Sequence, residues 1–162
     1  MTQLKIYDAL KNNPLKVIYP KLIKEYNPLD IELVMIMMDF SDEIKKEYKE
    51  KRLDKNFRNK VLNLYNRKCL ITSYEEEECE VAHILPFCEC SSSQKYDIYN
   101  GLILSANLHK LFDKYIFSIN PETLMIEVKG DHRIKKYHGL KLNLNKECLP
   151  YLKMHYNKFK AN

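Results

Sequence analysis

The fold is decided by residues 79–113, which read CEVAHILPF at 79–87 and, after an irregular interval, YNGLILSANLHKLFD at 99–113. The first run is mostly apolar and predicts a short strand. That strand carries His83 and ends at Pro86, because proline cannot donate a hydrogen bond to a sheet. One chemically active side chain is therefore expected near the end of a strand.

The second run predicts a turn followed by a helix. Asn100 and Gly101 form a turn signal, and residues 105–113 predict a short helix. His109 and Asp113 are four residues apart, which places both side chains on one face of that helix. Imidazole, amide and carboxylate groups brought together in this way are the components of a metal-centred site that cleaves phosphodiester bonds.

The composition is that of one globular domain. The chain has 162 residues, of which 45% are hydrophobic and 30% charged, enough to bury a core without disulfides. The first residues lack the apolar core of a signal peptide, and the longest apolar run, residues 33–38, is too short to span a bilayer. We therefore expect an intracellular protein, cytoplasmic or nuclear, with no membrane partner and with reduced cysteines.

The charges are unevenly distributed around residues 69–113. That segment contains two basic and eight acidic side chains, whereas residues 41–68 contain ten and five, and residues 114–162 contain ten and four. An acidic centre between basic flanks suits a metal site set between surfaces that hold a polyanion. The alternative is a solvated acidic loop at residues 75–78 beside ordinary surface lysines.

The chain before this segment predicts helices. Residues 3–38 predict short helices broken at three prolines, and residues 41–65 predict a charged helical stretch with a break at Leu53 and Asp54. Five basic side chains are candidate contacts to nucleic-acid phosphates, although a solvated helix face explains most of them equally well: Arg58, Lys60, Arg67, Lys68 and, on the later short helix, Lys110.

The remaining elements are a strand pair and a hairpin. Residues 69–72 predict a strand that pairs with residues 80–85 across the acidic loop, and residues 115–128 predict a hairpin with a turn at Asn120-Pro121. The chain then predicts a short helix through Tyr151, Leu152, His155 and Phe159. Three histidines are expected at the surface, without a catalytic role: His132, His138 and His155.

The chemistry of phosphodiester hydrolysis assigns roles to the central residues. A neutral histidine can take the proton of the attacking water, and His83 is the candidate base. His109 and Asp113 are candidate ligands of a divalent cation that stabilises the leaving oxygen. Asn100 would hold the loop or orient His83. Oxygen ligands beside imidazole suit Mg, Mn, Ni or Zn, and the sequence does not select among them.

Three motifs follow one another here: Ala-His-Ile-x-Pro at 82–86, Asn-Gly-Leu at 100–102 and Leu-His-x-x-Phe-Asp at 108–113. In this order and at this spacing they resemble the HNH endonucleases. The resemblance covers about residues 57–128. It implies an α+β fold with a ββα-metal (His-Me finger) core, a C-terminal hairpin and a short helix. We expect a helical region without assigned chemistry at 1–56 and the nuclease domain at 57–162, with its motif core at 69–128.

The same resemblance implies a phosphodiester hydrolase that cuts DNA, with RNA not excluded. It makes His83 the general base, Asn100 a structural or metal-shell residue and His109 a metal ligand. Many relatives carry a further metal ligand directly before the first histidine, where this chain has Ala82. The shell must then be completed by Asp113, with Asn100 or Glu80 as further candidates, and by water and phosphate. On an ideal strand Glu80 points away from His83, which ranks it below Asp113.

Two alternatives remain. Because Ala82 thins the metal shell, the first is a non-catalytic DNA- or RNA-binding protein that retains the scaffold. The second is a small structural protein that shares only the fold with these endonucleases. Some relatives also hold a structural zinc, for which this chain offers Cys69, Cys79, Cys88 and Cys90. The usual Cys-x-x-Cys pairing is absent, because position 72 is Thr.

Overall fold

The computed structural model describes residues 2–12, 22, 25–27, 30–31, 34–35, 38, 42–130 and 132–162. The three prolines at which the N-terminal helices are predicted to break lie outside these residues: Pro14, Pro20 and Pro28. The chain divides into two compact units, Met1–Asp54 and Lys55–Asn162, which are described separately below. The proposed domain boundary after residue 56 remains a prediction.

The first unit contains helix α1, Thr2–Asn12, and the beginning of helix α2, Asp42–Leu64. Ile6 and Leu10 are four residues apart, so both lie on one face of α1, where they are buried. Together with four later side chains they form a small hydrophobic core: Ile6, Leu10, Leu22, Ile31, Val34 and Met35.

Helix α2 is continuous over 23 residues, so the predicted break at Leu53 and Asp54 is wrong. Neither residue is glycine or proline, and nothing in their backbone chemistry interrupts a helix. The last three turns of α2 carry Phe57 and Val61 on one buried face, four residues apart. These two side chains belong to the core of the second unit.

The central sheet has two antiparallel strands, β1 (Cys79–His83) and β2 (Gly101–Ser105), with Cys79 opposite Ser105 and His83 opposite Gly101. The predicted pairing of β1 with residues 69–72 is therefore wrong. Those residues form a turn, in which the Cys69 Sγ accepts hydrogen bonds from the backbone N–H groups of residues 71 and 72. All five residues of β2 are buried, as in a strand that is covered on both faces.

Gly101 is needed for close packing and not for a turn with positive φ. Its backbone is extended, with φ −119° and ψ 142°. A Cβ atom on Gly101 would lie 2.6 Å from Cγ2 of Val61, which is far too close for two carbon atoms. The Asn-Gly pair therefore marks the point where β2 begins against helix α2.

Helix α3, Ala106–Asp113, follows β2 without a loop. The predicted hairpin is confirmed, with strands β3 (Phe117–Ile119) and β4 (Ile126–Val128). The predicted C-terminal helix is also confirmed, as α4 (Leu149–Ala161). The result is the predicted mixed α+β architecture, with small two-stranded sheets and a C-terminal helix. Within the described residues, no helix combines the length and the apolar character needed to cross a membrane.

Candidate active site

A cleft of about 320 Å³ opens where β1 ends beside α3. Three of the predicted site residues line it together: His83 from β1, and His109 and Asp113 from α3. Phe87 and Tyr115 contribute to its walls, and so does His155 from α4. The cleft thus joins side chains that are separated by more than 70 positions in the sequence.

His83 is fixed in one orientation by its neighbours. Its Nε2 lies 2.8 Å from the backbone carbonyl oxygen of Lys95, and because a carbonyl can only accept, Nε2 carries the proton. The ring stacks on Phe57 with centroids 4.7 Å apart and an angle of 20° between the planes. In the neutral imidazole the lone pair is therefore on Nδ1, and no described residue hydrogen-bonds to that atom.

His109 lies between two carboxylates. Its Nδ1 is 2.6 Å from Oε2 of Glu80, and its Nε2 is 3.4 Å from Oδ2 of Asp113. The shorter contact assigns the proton to Nδ1, which donates to Glu80. The lone pair of the neutral ring is then on Nε2, on the side of Asp113. The carboxylate of Asp113 is 59% exposed, so it is open to solvent and to a ligand.

His109 and Asp113 fit a divalent cation. Bonds of about 2.0–2.2 Å from a metal to nitrogen and oxygen let two ligand atoms be up to about 4.2 Å apart, and Nε2 and Oδ2 lie within that span. A carboxylate that accepts from the other ring nitrogen is the usual support of a metal-binding histidine, and Glu80 has that position. Since the described residues contain no group of three or more candidate ligands, water and phosphate would complete the coordination.

Asn100 holds the loop behind His83. It is fully buried, and its Oδ1 accepts from the backbone N–H of Leu85 at 2.8 Å. Its Nδ2 donates to the carbonyl oxygens of Leu85 and Gln94 and to Sγ of Cys90. Both atoms of the amide are thus engaged, and Asn100 does not line the cleft. This arrangement supports the role of loop support more than that of a metal ligand.

His155 is buried, so its prediction as a surface residue is wrong. It is 2% exposed and stacks on Phe112, with ring centroids 3.7 Å apart. Its Nε2 donates to the carbonyl oxygen of Phe112 at 3.2 Å, and Nδ1 accepts from the hydroxyl of Ser118 at 2.8 Å. Burial lowers the pKa of His155 to about 4, helped by the charge of Lys158 and opposed by the Phe112 carbonyl. The ring is therefore neutral at pH 7.

The five predicted phosphate contacts have different surroundings. Arg58, Lys60 and Lys110 are exposed. The guanidinium of Arg67 instead makes two hydrogen bonds to the carboxylate of Glu76, at 2.5 and 2.8 Å, and Lys68 pairs with the acidic loop through Glu75 at 2.8 Å. Both charges are thus partly neutralised within the protein.

The cysteines do not assemble as a structural zinc site in the described part of the chain, where no group of three or more candidate ligands is found. Cys69 and Cys79 are buried, Cys88 is exposed, and Cys90 belongs to the loop that Asn100 holds. The Cys69 Sγ accepts hydrogen bonds from backbone N–H groups, including that of Ser105 at 3.3 Å.

Two contributors to the site lacked a role in the sequence interpretation, Phe57 and the carbonyl of Lys95, and Glu80 had only the role of a lower-ranked candidate metal ligand. The sequence did indicate the position of Glu80, because on β1 its side chain lies on the face opposite His83, from which it contacts His109 of α3. The position of Phe57 was also indicated, since it is part of the apolar stripe of α2. The carbonyl of Lys95 was not indicated, because every residue has a backbone carbonyl and the sequence does not show where a loop folds back.

The antiparallel strands β1 and β2 are followed directly by helix α3. These elements bring His83, His109 and Asp113 into one cleft, so the chain is a mixed α+β protein with a histidine-containing site. Residues 69–120 match the model of the family described as HNH endonuclease. Members of this family act on nucleic acid and typically use a divalent metal. No match to a curated protein was found.

Proposed function

We propose that this protein is a metal-dependent endonuclease that hydrolyses phosphodiester bonds in DNA, with residues 57–162 as the nuclease domain. The observation that carries the proposal is the pair of histidines in the cleft. His83 has an open Nδ1, and His109 directs its Nε2 toward Asp113. A base and a cation-binding pair beside one another are the two components that this hydrolysis requires.

His83 acts as the general base. Its Nδ1 takes a proton from a water molecule as the water oxygen bonds to phosphorus and the bond from phosphorus to the 3′ oxygen breaks. The products are a 5′-phosphate and a 3′-hydroxyl group. The hydrogen bond from Nε2 to the Lys95 carbonyl persists and stabilises the imidazolium that forms. Phe57 and the loop clamped by Asn100 keep the ring in place.

His109 and Asp113 would hold the cation. When bound, a divalent metal of the Mg, Mn, Ni or Zn type polarises the phosphoryl oxygen and stabilises the leaving 3′ oxygen. Glu80 accepts from Nδ1 of His109 and so keeps the lone pair on Nε2. Asn100 stays a loop support in this assignment, since its amide is fully hydrogen-bonded.

The substrate is a polyanion, and exposed basic side chains are suited to hold it. Arg58, Lys60 and Lys110 are exposed and would contact backbone phosphates. Arg67 and Lys68 are weaker candidates, because each would have to leave an acidic partner first.

Plasmid cleavage tests the proposal. The wild-type protein should convert supercoiled plasmid to nicked or linear DNA with Mg or Mn, and not with EDTA. His83→Ala should lose this activity. His138→Ala is a matched control, because His138 is exposed and does not line the cleft. Equal cutting by wild type and His83→Ala would remove the proposal.

One observation favours a second candidate, a nucleic-acid-binding protein that has kept the scaffold without catalysis. Ala82 is fully buried and supplies no ligand, so the described residues offer only two side chains to a cation. DNA binding by the wild-type protein, without measurable affinity for Mn or Zn and without cleavage, would select this alternative.

A further inference from the structure

Phe87 stands apart from the other exposed apolar residues. It is 42% exposed. Of the large hydrophobic residues exposed in the described part of the chain, it is the one that lines the cleft. Single exposed hydrophobic residues are ordinary. Phe87 differs from the others because it lines the cleft beside His83.

The ring of Phe87 is held in place. It meets the ring of His83 edge to face, with centroids 5.5 Å apart, and the ring of Tyr96 in the same way at 6.1 Å. Its backbone lies in a short 3-10 turn, Phe87–Glu89, next to the loop that Asn100 clamps. An exposed aromatic ring with fixed orientation is a preorganised contact, because little conformational entropy is lost when a ligand binds.

A positive charge accompanies the ring. Nζ of Lys95 lies over one face of the Phe87 ring, 4.7 Å from its centroid, so a base that stacks on Phe87 takes the other face. The backbone of the same residue accepts the hydrogen bond of His83. The backbone of Lys95 therefore contacts the candidate base, and its side chain contacts the aromatic ring. The ammonium group of that side chain is available to a nearby phosphate. An aromatic face beside a cation is the combination by which proteins hold single-stranded nucleic acid.

We propose that Phe87 and Lys95 form a stacking subsite for an unpaired DNA base next to the cleaved phosphate. The inference rests on the proposed function, since it places a phosphate at His83. The ring centroids of Phe87 and His83 are 5.5 Å apart, so a base stacked on Phe87 belongs to a nucleotide close to that phosphate. A base in a matched duplex is already stacked on its neighbours. The subsite therefore selects single-stranded, gapped or mismatched DNA.

Binding in EDTA tests the subsite without requiring cleavage. The probes are a fluorescein-labelled oligothymidine and a matched duplex labelled in the same way. Phe87→Ala should weaken binding of the single strand by about 5-fold to 150-fold, the range expected for the loss of one stacked base. It should weaken duplex binding much less. Phe87→Leu should lose as much as Phe87→Ala, because leucine is apolar but has no aromatic face.

Tryptophan fluorescence supplies an independent measurement, because the chain contains no tryptophan. Phe87→Trp should keep the affinity for oligothymidine, and stacking should quench its emission on binding. Tyr74→Trp is the matched control, since Tyr74 is 50% exposed and does not line the cleft. Its emission should change little. Circular dichroism and thermal melting of each variant establish that the fold is intact.

Three outcomes would overturn the inference: equal binding of oligothymidine by wild type and Phe87→Ala, absence of quenching in Phe87→Trp at saturating DNA, or no binding of DNA by the wild type. The proposed function fails separately. A protein that binds oligothymidine through Phe87 but cuts neither plasmid nor oligothymidine with any metal would retain the subsite and lose the nuclease assignment.

Discussion

Two walls of the same cleft each carry a histidine, and their surroundings give the two rings opposite properties. His83, at the end of β1, and His155, in α4, both donate from Nε2 to a backbone carbonyl and both stack on a phenylalanine. They differ at Nδ1. In His155 that atom accepts from Ser118, whereas in His83 it faces no described partner.

The second ring nitrogen decides what each of these two histidines can do. With both nitrogens engaged and 2% exposure, His155 is a neutral packing element that ties α4 to the end of α3. With one nitrogen engaged, His83 is oriented and still has a lone pair to offer to solvent. Four experiments test this contrast and the site around it.

The largest effect is expected at His83. His83→Ala should lower the rate of DNA cleavage by about 10²-fold to 10⁴-fold, the usual contribution of a general base. Its thermal stability should stay close to that of the wild type, because the ring is only partly buried. Steady-state cleavage and a thermal melt measure the two quantities. A variant that loses stability while it keeps its rate would reverse the contrast with His155.

The next effect is on stability and comes from His155. Its folded pKa of about 4 lies below the 6.5 of an exposed histidine, so the unfolded chain binds a proton more readily. Stability from this group is fully present above pH 6.5 and is lost as the pH falls toward 4, by about 3 kcal/mol in the free energy of unfolding. Urea denaturation from pH 7 to pH 4 measures it.

His155→Gln isolates that contribution, because glutamine can keep hydrogen bonds to Ser118 and to the Phe112 carbonyl without titrating in this range. The variant should show a clearly smaller loss of stability between pH 7 and pH 4. The comparison with wild type is needed because Glu127 also titrates in acid. Its burial opposes ionisation, but hydrogen bonds from Lys160, Asn120 and Tyr156 lower the pKa of Glu127 to about 2. The same pH dependence in both proteins would contradict the assignment.

A smaller effect is expected at Glu80, which supports His109 from behind. Glu80→Gln removes the carboxylate that accepts from Nδ1 and should weaken binding of Mn or Zn by about 10-fold to 100-fold. Calorimetric titration with the metal measures the change. Glu78→Gln is the control, since Glu78 is an exposed carboxylate two positions away. Equal affinity in all three proteins would mean that His109 does not bind the metal through Nε2.

The structural features that could be predicted are those formed by residues close together in the sequence. The i, i+4 step of His109 and Asp113 and the hairpin after them are local patterns, and the structure places them as expected. The partner of β1 could not be predicted in this way, because residues 69–72 and 101–105 are both apolar and only long-range packing selects between them. Gly101, which must touch Val61, was the available indication that 101–105 is covered by a helix.

The burial of His155 could have been predicted from helical spacing. Tyr151, Leu152 and Phe159 are buried, and they lie four, three and four positions from His155 along α4. That periodicity places His155 on the inner face of the helix, whatever its polarity. The carbonyl that orients His83 could not be predicted, because a backbone oxygen leaves no mark in the sequence.

The smallest effect concerns two exposed arginines that differ in their ion pairing. Arg58 and Arg67 are both exposed, but Arg67 is already paired with Glu76. If Arg58 contacts a phosphate, Arg58→Ala should weaken DNA binding and lower the slope of log affinity against log salt by about 1. Arg67→Ala should leave that slope unchanged. Binding titrations of labelled duplex over a salt series, in EDTA, measure both. Should Arg67→Ala lower the slope and Arg58→Ala leave it, the DNA would have to displace Glu76, and the acidic loop would then be part of the DNA interface.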